Sequence, residues 1–195
     1  MVNILAAILS FPHMAARLGA GAAADRPQMS QIGQGRQMSD SIEIRQAHAA
    51  DAEWIGQMIS RLLCELYPDL APDYQPAATI ATARRLLGDG GYVALAAIAQ
   101  DGAPCGVVGL NECKAIYAHG AFGEIAELYV TPEFRSAGVG AQLVRAAMEF
   151  GRLRHWSLIE VGAPDVPRWQ RTVDFYLRQG FVNVGPRLYR DLKAA

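Results

Sequence analysis

Ile125-Ala126-Glu127-Leu128-Tyr129-Val130-Thr131-Pro132-Glu133-Phe134-Arg135-Ser136-Ala137-Gly138-Val139-Gly140-Ala141 is the stretch from which the rest of this chain can be placed. A β-rich run ends at Pro132, a loop presents Arg-x-x-Gly-x-Gly, and an amphipathic helix follows directly. That order sets free backbone N–H groups and a positive helix N-terminus where a pyrophosphate would sit. Gly138 and Gly140 lack a Cβ, so an anion can approach the backbone and the turn can take positive φ.

Two other phosphate-binding patterns fail on the same residues. A P-loop needs Lys-Ser/Thr after the second glycine, and Ala141-Gln142 stand there. A dinucleotide fingerprint needs a third glycine, and its place is taken by Leu143. Glu160 imitates the ribose-binding acid by spacing, but the missing glycine and the strand order below outweigh it. The plain alternative is a strand-to-helix loop whose glycines serve only to turn the chain.

A second pattern lies downstream, in Phe175-Tyr176-Leu177-Arg178-Gln179-Gly180-Phe181. Together the two segments resemble the GNAT superfamily of N-acetyltransferases, whose acetyl-CoA motif is Gln/Arg-x-x-Gly-x-Gly/Ala and whose later motif is Tyr-x-x-x-Gly-Phe. With the order of elements, the resemblance spans residues 42–192.

Composition narrows the class. With 195 residues the chain has enough length for one domain with a substantial core, and 51% hydrophobic residues fit a globular protein. A formal net charge of −1 gives no electrostatic reason to expect nucleic acid. Cys64, Cys105 and Cys113 are odd in number and lack Cys-x-x-Cys spacing, which reads as reduced thiols in a cytoplasmic protein. The four histidines, at 13, 48, 119 and 155, form no ligand pattern, so no metal site is expected. The Ala- and Gly-rich residues 1–37 are expected to be a disordered leader or upstream extension, with the domain at 38–195. The apolar run 4–11 is too short to span a bilayer, and no membrane association is expected.

Periodicity supplies the elements. Residues 42–45 alternate as a half-buried strand. Asp51 then opens a helix whose Ile55, Met58, Ile59, Leu62, Leu63 and Leu66 fall on one face. A proline-punctuated loop follows at 67–75, then a helix over 77–87. Strands are expected at 92–99 and 106–114, joined around Asp101-Gly102, and another at 123–130. A helix over 138–153, a strand at 157–161, a helix over 168–178 and a final strand from Phe181 complete the order β-α-α-β-β-β-α-β-α-β. This reads as an α/β fold with a mixed central sheet: an antiparallel N-terminal meander, then a parallel βαβ crossover of right-handed sense, with helices on both faces. It matches the GNAT order. In that family the fourth and fifth strands splay, and the pantetheine arm lies between them.

The resemblance implies an acetyl-CoA-dependent N-acetyltransferase that moves an acetyl group to a primary amine by direct attack in a ternary complex. Acetyl-CoA is then the co-substrate. It would be bound by Leu128, Tyr129 and Val130 on the strand and by Arg135, Ser136, Ala137, Gly138, Val139, Gly140 and Ala141 on the loop and helix start.

Such a transfer poses three problems. An alkyl amine titrates near ~10.4, so its lone pair is blocked at neutral pH and a base must take the proton. Glu124 and Glu127 are the candidates, but they stand three apart, and a regular pleat sends them to opposite sides. Only a bulge, which the family often has here, would bring both to the substrate. Glu124 matches the general-base position of several family members and is favoured; Glu127 lies nearer the expected thioester. Both have the plain alternative of solvated strand acids. The developing oxyanion wants fixed N–H donors, and the resemblance implies the backbone of Leu128 or Val130. The leaving thiolate wants a proton, and Tyr176 matches the family tyrosine near the coenzyme sulfur. The plain alternative for Tyr176 is a core tyrosine.

One departure from the family pattern stands out. Seven residues before the tyrosine many members carry Asn, and here the position is Trp169. A non-catalytic acyl-CoA-binding regulatory module is therefore the alternative from another class, with an interaction domain that has lost the ligand as a third reading. The acceptor, a small-molecule or peptide amine, is left open, as is a homodimer. Tyr67, Asp69, Asp73 and Tyr74 are candidates for its acidic, aromatic lip.

Overall fold

A computed structural model describes residues 42–68, 74–162 and 166–185. It contains strand β1 (Glu43–Gln46), helices α1 (Ala52–Leu66) and α2 (Pro76–Gly88), and strands β2 (Tyr92–Ile98), β3 (Pro104–Ala115) and β4 (Gly120–Val130). Helix α3 (Val139–Leu153), strand β5 (Ile159–Val161) and helix α4 (Gln170–Arg178) follow. The leader expected at 1–37 lies outside the described residues, as do Asp69 and Asp73.

The five strands form one sheet in the order β1-β2-β3-β4-β5. The first four pair antiparallel, and β5 joins β4 in parallel after the α3 crossover. The mixed sheet, with helices on both faces, is the one expected from the sequence. Alternation along β2 shows how the faces divide: Leu95 and Ala97 enter the core beside α3, whereas Ala94 and Ala96 enter the core beside α1. Leu143, Val144 and Ala147 of α3 are fully buried on the first face. Ile55, Met58 and Ile59 of α1 fill the second.

Helix boundaries follow local chemistry. Helix α2 begins at Pro76 itself, one residue before the expected start, because proline at the first helical position loses no intrahelical hydrogen bond. The final strand is a correction. Residues 181–185 run without strand pairing, Val182 and Val184 stand exposed, and the Asn183 side chain accepts the Gly185 N–H in a turn at 3.0 Å. The rest of that expected strand lies outside the described residues.

The turn between β1 and α1 is tied by one carboxylate. Asp51 accepts two bonds from the Arg45 guanidinium at 2.8 Å, the His48 backbone N–H at 2.8 Å and the Trp54 indole N–H at 3.1 Å. The Arg45 hydrogen bonds hold its carboxyl well below the usual carboxylate range, against the cost of its burial. Asp51→Asn is expected to cost about 2 kcal/mol in urea denaturation at neutral pH, discounted for the partly exposed Arg45. Because the folded value is depressed, this stability is complete above the unfolded value near ~3.9 and drains as pH falls through the folded one. The stability curves of wild type and variant should therefore converge on acidification.

Candidate active site

The site begins with a count of residues. Gly109 of β3 pairs with Glu127 of β4, but the next residue, Leu110, pairs with Ile125. Ala126 is thus an extra residue, a β-bulge that reverses the alternation of β4 at that point. Ile125 points into the core beside α3, and Tyr129 into the core beside α1. Glu124 precedes the first and Glu127 stands two from the second, so both glutamates lie on the α1 face of the sheet. The regular pleat would have separated them.

The same residue re-aims the backbone. The Thr131 N–H bonds the Cys105 carbonyl at 3.0 Å, which makes 131 and 105 a hydrogen-bonded pair. Antiparallel pairs alternate, so Tyr129 and Glu127 also bond to β3, while the N–H and C=O groups of Leu128 and Val130 point away from it. On the other side of the bulge, β4 pairs with β5 only from Gly123 to Ile125. Past Ile125 the outer edge of β4 is therefore not laddered to β5. Along that edge the N–H groups of Leu128 and Val130 point away from β3, beyond the last β5 pairing. Tyr129 is placed differently from its two neighbours: its backbone faces β3 and its ring is buried on the α1 face.

The anion loop continues from this edge. After the short turn Pro132–Phe134 come Ser136 with φ 66° and Gly138 with φ 81°, and Gly138 caps α3. A left-handed cap suits glycine, but Ser136 takes the same region without that freedom, which the sequence did not signal. The first helical bond of α3 runs from the Gln142 N–H to the Gly138 carbonyl. The N–H groups of Val139, Gly140 and Ala141 thus have no acceptor inside the helix and face the anion end of its dipole. Arg135 donates Nε–H to the Val130 carbonyl at 2.9 Å and pairs with Glu65 of α1 at 2.7 Å. Its guanidinium lies over the Tyr129 ring, 5.3 Å from the centroid, and the Tyr129 hydroxyl also reaches Glu65 at 3.4 Å.

Helix α4 brings the second motif to the first. The Phe175 ring stands 3.5 Å from where a Cβ on Gly140 would lie. Tyr176 is buried in the core with Val139 and Leu143, edge-on to Phe175 and Phe181 at 5.1 and 5.3 Å. Burial raises its phenol above the ordinary tyrosine range, so it keeps its proton at neutral pH. Trp169 caps α4, half-buried, with the Arg168 guanidinium 5.2 Å over its ring.

On the α1 face the acids have partners that the sequence reading missed. Tyr92, the first residue of β2, donates its hydroxyl to Glu127 Oε2 at 2.8 Å. Asn111 of β3 approaches Glu124 at 3.5 Å. Burial raises the Glu127 carboxyl, the Tyr92 hydrogen bond lowers it, and the Glu124 charge raises it again. The Tyr92 phenol is raised by burial and by the Glu127 charge. Among the described residues no group of three His, Cys, Asp or Glu side chains is arranged to hold a metal ion. No helix among them is long and apolar enough to cross a membrane.

Residues 57–181 match the sequence pattern of the acetyltransferase (GNAT) family. The chain belongs to that family. Its fold is shared with solved GNAT-type structures of low sequence identity. An aminoglycoside acetyltransferase from an uncultured soil metagenomic sample superposes with a TM-score of 0.63 at 22% identity, covering 80% of this chain and 99% of that one. The ribosomal-protein-alanine N-acetyltransferase of Brucella melitensis biovar Abortus 2308 gives 0.62 at 20%, covering 77% and 99%. The aminoglycoside N-acetyltransferase AAC(6')-Iy, solved in complex with CoA, gives 0.63 at 17%, covering 84% and 100%. No functionally curated protein matches the chain in sequence.

Within this GNAT domain, Gly109 is the residue on which the acid cluster turns. A Cβ there would overlap both the Tyr92 hydroxyl and Glu127 Oε2. Gly109→Ala is therefore expected to break the Tyr92–Glu127 bond and to destabilise the fold by about 1–3 kcal/mol. Thermal unfolding with near-ultraviolet circular dichroism checks it; an unchanged midpoint and tyrosine signal would contradict the packing described.

Proposed function

We propose that the chain is an acetyl-CoA-dependent N-acetyltransferase that acts on a cationic primary amine. The observation that carries the reading is the bulge at Ala126, which joins three features in one place. These are an unladdered strand edge, an anion loop continuous with it, and two carboxylates on the face opposite the α3 core.

The chain fits the coenzyme on its own features. The N–H groups at the start of α3 and the left-handed Gly138 suit a pyrophosphate. The free edge of β4 suits an amide-bearing arm, because N–H and C=O groups alternate there as they would toward another strand. Bound acetyl-CoA supplies an activated acetyl thioester. The chain's residues then have separate tasks. The Glu124/Glu127 pair takes one proton from the acceptor's ammonium, freeing the lone pair that attacks the carbonyl carbon. The Leu128 and Val130 N–H groups donate to the oxygen as it gains negative charge. As the C–S bond breaks, the electron pair leaves on sulfur, the Tyr176 hydroxyl gives it a proton, and the phenolate recovers one from the new amide nitrogen.

The acceptor's charge is read from the α1 face. Glu124 and Glu127 stand there with Tyr92, an acidic lining suited to an ammonium group, while Glu65 is held by Arg135. The solved neighbours bear names as different as aminoglycoside and ribosomal-protein-alanine acetyltransferase, so the shared fold does not select the acceptor.

Gly140 offers a clean test of the coenzyme loop. A Cβ there meets only ordinary van der Waals neighbours, so a side chain is tolerated by the fold. Gly140→Asp should leave thermal stability nearly unchanged and weaken acetyl-CoA binding by about tenfold or more in calorimetric titration, through charge repulsion at the helix start. Wild-type affinity in that variant would remove the anion site. Tyr176→Phe should lower kcat by roughly 10²-fold with coenzyme affinity retained. Equal turnover would make Tyr176 a core residue only.

A further inference from the structure

The two glutamates are not equivalent. Tyr92, Asn111 and Glu124 stand side by side in register across β2, β3 and β4, and Gly109 stands opposite Glu127. Tyr92 does not stay in its own row. Its ring passes over β3 through the space that Gly109 leaves empty and reaches Glu127 on the strand beyond, roughly 10 Å away in the plane of the sheet. A tyrosine hydroxyl in a core needs a partner, but a backbone carbonyl would serve. Here the sheet gives up a side chain at Gly109 so that the partner is one carboxylate oxygen.

We propose that Tyr92 is a positioning residue for acetyl transfer: it holds Oε2 of Glu127 in place, and so makes Glu127, rather than Glu124, the carboxylate that takes the acceptor's proton. This rests on the N-acetyltransferase reading above. The bond fixes one oxygen and leaves Oε1 outside it as the accepting atom. The carboxylate reaches the acceptor already oriented, so less rotamer entropy is lost in the transition state. Glu127 also stands one residue from Leu128, whose N–H faces the splayed edge, whereas Glu124 lies on the far side of the bulge, where β4 is still paired with β5.

The environment agrees with this division. Burial and the neighbouring Glu124 charge move the Glu127 carboxyl upward, toward the pH at which a base works best, while the Tyr92 hydrogen bond restrains it. Among the described residues, the groups that act on it are Tyr92 from β2 and Glu124 from β4, with Asn111 of β3 beside Glu124. On the helix side Glu65 and Arg61 of α1, with Arg135, gather around the Tyr129 hydroxyl rather than Glu127.

The test uses pH–rate profiles of kcat/KM for wild type, Tyr92→Phe, Glu124→Gln and Glu127→Gln. Alongside these, the carboxyl carbon of Glu127 is titrated by NMR in glutamate-labelled protein. Losing the Tyr92 donor should move the acid limb and the Glu127 titration to higher pH, and removing the Glu124 charge should move both lower. Glu127→Gln should abolish that limb and lower kcat by roughly 10²–10⁴-fold. Replacing tyrosine with 3-fluorotyrosine keeps the side-chain shape while strengthening the donor. It should move the Glu127 titration lower even if Tyr92→Phe fails to fold.

A Tyr92→Phe variant that loses stability but keeps the wild-type limb would make Tyr92 merely structural and overturn the proposal. So would a limb that survives in Glu127→Gln. Acetylation by wild type with no coupled movement of the Glu127 titration overturns the proposal and leaves the transferase reading standing. A coupled titration in a protein that binds acetyl-CoA but acetylates no amine overturns both the reading and the catalytic use of Tyr92.

Discussion

A strand that carried two ladders along its whole length would have no polar groups left for a ligand, and the extra residue at Ala126 prevents this. From Gly123 to Ile125, β4 carries two ladders: β3 takes one set of N–H and C=O groups and β5 takes the other. After Ala126, the alternation is reversed and the β5 ladder has ended, so the N–H groups of Leu128 and Val130 point outward, while the Val130 carbonyl accepts from Arg135. The exchange is local and costs the sheet little, because β3 and β4 resume regular pairing at once. The shared face of Glu124 and Glu127 and the outward direction of the Leu128 and Val130 N–H groups both depend on that one insertion.

Around the bulge the molecule divides its chemistry between two faces of one sheet. The α3 face carries the start of α3, where Phe175 approaches Gly140, and the buried Tyr176. The α1 face carries the acids. Arg135 belongs to both: it leaves the anion loop, binds the Val130 carbonyl on the splayed edge and pairs with Glu65 of α1. With both partners of that ion pair more than a third exposed, it contributes about 0–1 kcal/mol to stability. Its structural weight lies in orienting the loop against the strand.

Asp51 and Gly109 show two ways of placing a buried carboxylate. Asp51 is surrounded by donors, and its charge is fully compensated where β1 turns into α1. Glu127 has one neutral donor, a neighbouring negative charge and a buried setting, an arrangement that leaves its proton affinity high. The first arrangement serves the fold, and the second suits proton transfer. The fold is shared with structures named as an aminoglycoside acetyltransferase and a ribosomal-protein-alanine N-acetyltransferase at 22% and 20% identity.

Most of the element order, the core face of α1 and the strand-to-helix loop with its glycines were legible in the residues themselves. They depend on local rules: 3.6-residue periodicity in Ile55, Met58 and Ile59, alternation over residues 42–45, and glycines between a strand and a helix. The family's two motifs were legible for the same reason, since each is a short run of sequence. Strand register was not. The bulge at Ala126 leaves no mark on composition, because any small residue can be the unpaired one, and only pairing with β3 reveals the reversal of Glu127. Tyr92, 35 residues upstream, could be matched to that carboxylate only when the one intervening strand, β3, set the distance between them. Over residues 181–185 the expected strand is absent because alternating valines satisfy a pattern without burial, and the Asn183 turn was the stronger local preference. The sequence alone determined most of the helices and strands up to α4 and their order; which carboxylates meet, and across which glycine, was decided by tertiary register, a property of pairs of strands that no single segment contains.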